Sequence, residues 1–159
     1  MIKKEQVVAA QNEWGAGIVK IGALMDDRVE CEAFTSKFLD KLYAFDKGIV
    51  LFKPTKAALE QFRPTKPKAL SYFIAGEDRA CEEDGGFAIA PYTNVRFENT
   101  DIILGENRAI AMGNYYFTDL EGAEAKVEYT FSYQLVDGAL KIDVHHSSFP
   151  YNPNPNPPA

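Results

Sequence analysis

From Glu5 to Met25 apolar side chains recur at Val7, Ala10, Trp14, Ile18, Ile21 and Met25, in steps of three and four. That spacing gathers them on one stripe of a long first helix. Gly15, Gly17 and Gly22 weaken it, each by up to about 1 kcal/mol against Ala. Close approach of another element at Gly15 and Gly22 would compensate. A second helix is predicted from the acidic pair Asp26-Asp27, with Phe34, Phe38, Leu42 and Phe45 on one face and a stop at Asp46-Lys47-Gly48. Ile49 to Phe52 reads as a short strand closed by Lys53-Pro54, because proline cannot donate to a ladder. Thr55 is placed to cap a short helix through Phe62. Thr65 is placed to cap another, with Pro67 in its first turn and Gly76 as its stop.

Beyond Gly76 the period changes from helical to alternating. GFAIAPY, TNVRFENTDIIL, NRAIAMGNYYFTD, KVEYTFSYQLV and ALKIDVHHSSF read as strands separated by turn residues. Helices first and strands later make an α+β arrangement. Asp137-Gly138 between two alternating runs signals a two-residue hairpin, which sets Val136 opposite Ala139. One face then pairs Leu135 with Leu140, Tyr133 with Ile142, Phe131 with Val144, Tyr129 with His146, and Val127 with Ser148. The other face is polar, with Glu128, Thr130, Ser132, Gln134, Lys141, Asp143 and His145. The pleat separates the two histidines. On this register His146 ends an apolar face beside Tyr129 and Ser148, either as a polar group at a pocket mouth or as a hydrogen-bonded core histidine.

Composition narrows the partners. The chain has 159 residues, 46% hydrophobic and 25% charged, which are ordinary globular values. A formal net charge of −6 offers no basic field to nucleic acid. The N-terminus lacks the apolar core of a signal peptide, and no apolar run reaches the roughly 20 residues of a membrane span. A cytoplasmic protein without a membrane partner is the expectation. Cys31 and Cys81 lie far apart and read as two reduced structural thiols. A metal site at the histidines would need a third ligand that no local spacing supplies, so neither metal nor cofactor is predicted. Residues 1–151 read as one domain and 152–159 as a Pro/Asn-rich tail favouring extended conformations.

The order of elements, the FKP strand end at Phe52 to Pro54, the GEN turn before an alanine-rich strand, and a last hairpin closing in HHSS resemble the nuclear-transport-factor-2-like superfamily. The likeness points to its SnoaL-like branch and to the branch of the calcium/calmodulin-dependent protein kinase II association domain. It implies a cone-shaped α+β barrel whose N-terminal helices pack in the concave face of a curved antiparallel sheet, with a pocket between them. It also implies a homodimer through the outer sheet face, or a larger ring. Matched strand to strand, Tyr115 and Phe131 stand where the kinase-type domains carry pocket arginines. Lys53 stands where ketosteroid isomerase has its proton-abstracting aspartate, so isomerisation of that type is not implied.

Together these readings predict a binding protein for a small organic molecule, with Lys53, Tyr115, Tyr129, Phe131, Tyr133, His146 and Ser148 lining the cone. The alternatives are a hydrolase, dehydratase or isomerase using His146 as general acid or base, and an oligomerisation module.

Overall fold

The computed structural model describes residues 1–154, so 155–159 of the tail lie outside the described residues. Helices α1 (Lys4–Ala23), α2 (Arg28–Leu42) and α3 (Lys66–Ile74) precede or flank strands β1 (Leu51–Lys53), β2 (Tyr92–Leu104), β3 (Arg108–Asp119), β4 (Glu124–Val136) and β5 (Ala139–Ser148). The sheet order is β1-β5-β4-β3-β2. Only β1 joins in parallel, beside β5; the other pairs are antiparallel. The sheet is curved and unclosed, and the fold is α+β as the sequence predicts. Among the described residues no helix is long and apolar enough to cross a membrane.

The apolar stripe of α1 enters the concave face. Trp14 is fully buried, stacked on Tyr115 of β3 with centroids 5.5 Å apart and set edge-on to Phe131 of β4 at 5.8 Å. The two glycines flagged in α1 lie at close approaches. A Cβ on Gly15 would stand 3.1 Å from the Val95 carbonyl oxygen, and one on Gly22 3.0 Å from that of Ala88. Their intrinsic cost in the helix is offset by letting α1 lie directly on β2 and on the chain before it.

Three local expectations give way to tertiary contacts. Helix α2 stops at Leu42, earlier than predicted, because Tyr43 turns extended and Ala44 N–H donates to Ile142 O at 2.9 Å. GFAIAPY contains a 3-10 turn at Phe87–Ile89, entered through left-handed Gly86, and becomes strand only at Tyr92, where β2 begins. The helix predicted from Thr55 does not form. The N–H groups of Ala58, Leu59 and Glu60 donate to the Glu83 carboxylate instead, at 2.8, 2.8 and 2.7 Å.

The last hairpin carries the decisive difference. Asp137 (φ 51°) and Gly138 (φ 82°) form the two-residue turn, and pairing follows the predicted register as far as Tyr133 opposite Ile142. There the register slips. Val144, not Asp143, lies opposite Ser132, so Asp143 is the extra residue of a β-bulge. Asp143 reaches across Ser132 to β3, where Arg108 Nη1 donates to its carboxylate at 2.7 Å and to Ser132 Oγ at 2.6 Å. Beyond the bulge every β5 side chain changes face. His146 and Ser148, expected inward, stand on the outer face. His145 and Ser147 point inward and are 3% and 1% exposed.

Candidate functional site

The inward face of β4 follows the sequence pattern, with Val127, Tyr129, Phe131 and Tyr133 all buried. They do not line an open cone. Phe97, Tyr115, Phe117, Phe131 and Trp14 pack ring against ring through the concave face. At one end Tyr129 Oη donates to Asn99 Oδ1 and accepts from Gln11 Nε2 at 3.1 Å, within a reciprocal Gln11–Asn99 amide pair. That network is structural. Tyr133 is buried and its hydroxyl has no partner among the described residues.

At the other end the hydroxyls converge on β5. His145 lies between two tyrosines, its Nδ1 2.8 Å from Tyr43 Oη and its Nε2 3.1 Å from Tyr115 Oη. Its ring stacks on Phe52 of β1, centroids 4.7 Å apart, and meets the edge of Phe131 at 4.3 Å. Trp14 Nε1 donates to Tyr43 Oη at 3.0 Å. Tyr115 Oη donates to Ser147 Oγ at 2.5 Å, and Ser147 Oγ shares a further 2.5 Å hydrogen bond with Thr55 Oγ1. Lys53 Nζ donates to the Ser147 carbonyl oxygen at 3.0 Å. The result is a continuous chain from fully buried Tyr43 to half-buried Thr55. Beside it a groove of about 340 Å³ is lined by Leu51, Phe52, Phe62, Pro64 and Val144, and touches Lys53, His145 and His146.

Burial fixes the charge states. It pushes the phenols of Tyr43 and Tyr115 far above the usual tyrosine range, so both remain O–H donors. It pulls His145 well below the ordinary histidine value, with a smaller contribution from neighbouring His146, so the imidazole is neutral. Burial also lowers the Lys53 ammonium. The His145 shift has a stability signature. An unfolded chain takes up a proton as pH falls through about 6.5, while the folded ring does not. Stability is therefore independent of this residue above that pH and declines below it. Urea unfolding from pH 6.5 to 5 is expected to show a slope steeper than that of His145→Gln by up to about 1.4 kcal/mol per pH unit. Equal slopes would mean that His145 titrates normally in the fold.

Of the predicted lining, Tyr115 belongs to this chain, Phe131 supports its histidine from the edge, and Lys53 holds the Ser147 carbonyl. Tyr129 and Tyr133 lie elsewhere in the core. His146 is exposed, and Ser148 donates to Glu128 on the outer face at 3.2 Å. The residues that sequence reasoning missed are His145, Ser147, Thr55, Tyr43 and the indole N–H of Trp14. Among the described residues no three histidine, cysteine, aspartate or glutamate side chains gather as a metal site would need. Cys31 and Cys81 are free, buried thiols.

The geometry can be set against known proteins. An association-domain structure of the calcium/calmodulin-dependent protein kinase II type from Xanthomonas campestris superposes with a TM-score of 0.62 over 94% of this chain and 89% of its own, at 23% identity. The fold is thus nuclear-transport-factor-2-like. Within that class the chain belongs to the metal-independent carbonic anhydrase family, whose pattern it matches across residues 5–149. A metal-independent carbonic anhydrase from Nostoc sp. is 39% identical over 154 residues, covering 94% of this chain and 75% of that protein. The crystal structure of a cyanobacterial iota-carbonic anhydrase complexed with bicarbonate superposes with a TM-score of 0.90 at 37% identity, over 95% of this chain and 94% of that one. These matches overturn the expected binding protein for an unidentified organic ligand. A cone filled with aromatic rings leaves that ligand little room.

Proposed function

We propose that this protein is a carbonic anhydrase that interconverts carbon dioxide and bicarbonate without a resident metal, at the Tyr115–Ser147–Thr55 end of the hydroxyl chain. The observation that carries the reading is the unbroken hydrogen-bonded run Tyr43–His145–Tyr115–Ser147–Thr55. It occurs in a chain that matches the metal-independent family across residues 5–149.

In hydration the water oxygen bonds to the carbon of carbon dioxide, one C=O electron pair moves onto oxygen, and a water proton leaves to solvent. Negative charge grows on the former carbon dioxide oxygens. Hydroxyl donors already fixed by their neighbours stabilise that charge without reorganising. Thr55 is the donor nearest solvent, fixed from behind by Ser147, and the Lys53 ammonium adds positive charge at the mouth. The apolar groove of Leu51, Phe62, Pro64 and Val144, which meets the chain at Lys53 and His145, suits an uncharged, nonpolar gas. His145 acts as a neutral strut that holds Tyr115, because burial keeps it from accepting a proton.

Stopped-flow hydration of carbon dioxide, followed with a pH indicator after dialysis against a chelator, tests the reading. Catalysis above the uncatalysed rate is expected to persist. A rate equal to the uncatalysed one, or one restored only by added metal, would overturn it. His146→Ala is expected to keep its activity within about two-fold, since an exposed outer-face substitution shifts energies by only a few tenths of a kcal/mol. A large loss would return His146 to the site. The same reading extends to a homodimer through the outer sheet face, where Ile103 and Met112 are exposed. Light scattering that gave a monomer would remove that part.

A further inference from the structure

Every hydroxyl in the buried chain can point either way, so its direction must be set at one end. Trp14 supplies that end. An indole has a single N–H and no acceptor in its ring plane. Its contact with Tyr43 Oη, 3.0 Å long, can only be a donation into the phenol oxygen. The remaining partner of that phenol is His145 Nδ1 at 2.8 Å. Tyr43 is fully buried, so its own hydrogen must go to Nδ1 or go unpaired. Leaving a buried donor unpaired costs about 1–3 kcal/mol. Nδ1 therefore accepts, and the neutral imidazole carries its proton on Nε2.

The consequence runs outward. Nε2–H donates to Tyr115 Oη at 3.1 Å, which commits the Tyr115 hydrogen to Ser147 Oγ. Ser147 then accepts from Tyr115 and gives its own hydrogen to Thr55. Thr55, already an acceptor, has its own O–H left to donate at the half-buried end of the chain, where Tyr72 also lies near it. The opposite tautomer would reverse each of these bonds and turn an acceptor outward. A donor suits the oxygens of bicarbonate, whereas an acceptor would repel them.

We propose that Trp14 is a positioning residue whose indole N–H, acting through Tyr43, holds His145 as the Nε2–H tautomer and turns the hydroxyls of Tyr115, Ser147 and Thr55 toward the mouth as donors. Its value for catalysis rests on the carbonic anhydrase reading; the tautomer does not. Trp14 touches no reacting atom and works through a line of four hydrogen-bonded side chains.

Long-range 1H–15N correlation spectra of histidine-labelled protein read the tautomer directly. The chain has two histidines, and His146→Gln assigns the signals. The wild-type His145 is expected as a single Nε2–H form. An Nδ1–H form overturns the proposal without any variant. Trp14→Phe removes the obligate donor and should populate both tautomers, with kcat for carbon dioxide hydration falling roughly ten-fold, the scale on which outer hydrogen-bond partners act, and KM little changed. If Trp14→Phe is folded, keeps a pure Nε2–H signal and keeps kcat, Trp14 is only packing and the proposal fails. The failures are separable. An Nε2–H wild type without hydration activity rejects the function and spares the tautomer; an active enzyme with Nδ1–H does the reverse.

Discussion

Ser147→Ala is expected to lower kcat/KM for carbon dioxide hydration by about 100- to 1000-fold, because without Ser147 the Thr55 hydroxyl is no longer held as a preorganised donor to the developing negative charge, and losing one such donor costs that much. Ser147 Oγ links buried Tyr115 to half-buried Thr55, with a 2.5 Å hydrogen bond on each side. Removing it leaves the Tyr115 hydroxyl without its acceptor and isolates the histidine end from solvent. Some stability goes as well, about 1–3 kcal/mol for an orphaned buried donor, so rates should be compared at a temperature where both proteins are folded. Ser148→Ala is the control. Its hydroxyl faces the other side of β5 and binds Glu128, so its rate should match the wild type. If both serines cost the same, neither face of the strand is special and the hydroxyl chain is not the catalytic device.

Asp84→Ala is expected to produce the largest loss of stability. Arg63 is 0% exposed, and its guanidinium meets the Asp84 carboxylate with two hydrogen bonds of 2.8 Å. Ser71 donates to the same carboxylate at 2.6 Å, and Arg63 Nε and Nη1 donate to the carbonyl oxygens of Glu60 and Lys68. Deleting the acid leaves the buried cation with only the Glu83 carboxylate, 3.9 Å away and without a hydrogen bond to it, which costs about 3–5 kcal/mol, or a Tm lower by roughly 6 to 20 °C for a chain of this size. The pair also secures the segment that carries Thr55, because Arg63 N–H donates to Phe52 O at 2.7 Å and neighbouring Glu83 ties down the N–H groups of residues 58–60. Those donors, Glu60 and Ala58 foremost, hold the Glu83 carboxyl below the usual range. Activity should therefore fall along with stability. Thermal unfolding of Asp84→Ala beside Arg63→Met/Asp84→Leu checks the cause. The double variant should be the more stable, since it leaves no unpaired charge. A double variant as damaged as the two singles added together would mean that packing, not charge, holds the segment.

How far the sequence carries the fold is clear from particular residues. The α1 stripe as far as Ile21, the tight approaches at Gly15 and Gly22, the inward face of β4 and the Asp137-Gly138 turn all rest on local periodicity or on backbone conformations, and the structure agrees with each, while Met25 lies past the helix end and is exposed. Which histidine and serine face inward differs from the expected register by one residue. Leu140, Ile142 and Val144 keep an apolar phase straight through the bulge, so the alternation gives no sign of it. The following HHSS has the same residue types in either phase: His145 with Ser147, or His146 with Ser148. A one-residue slip is invisible in such a run, and only the reach of Asp143 to Arg108 fixes it. Thr55 was read as a cap because its competitor, the Glu83 carboxylate, lies far along the chain. Partners so distant in sequence leave no periodic trace.

The most direct test of the central claim is where bicarbonate sits. In crystals equilibrated with bicarbonate, one of its oxygens is expected within hydrogen-bond distance, about 3.2 Å, of Thr55 Oγ1, with Lys53 beside it. Bicarbonate bound only on the outer face beside His146 and Ser148, with the inner hydroxyls unoccupied, would contradict that claim.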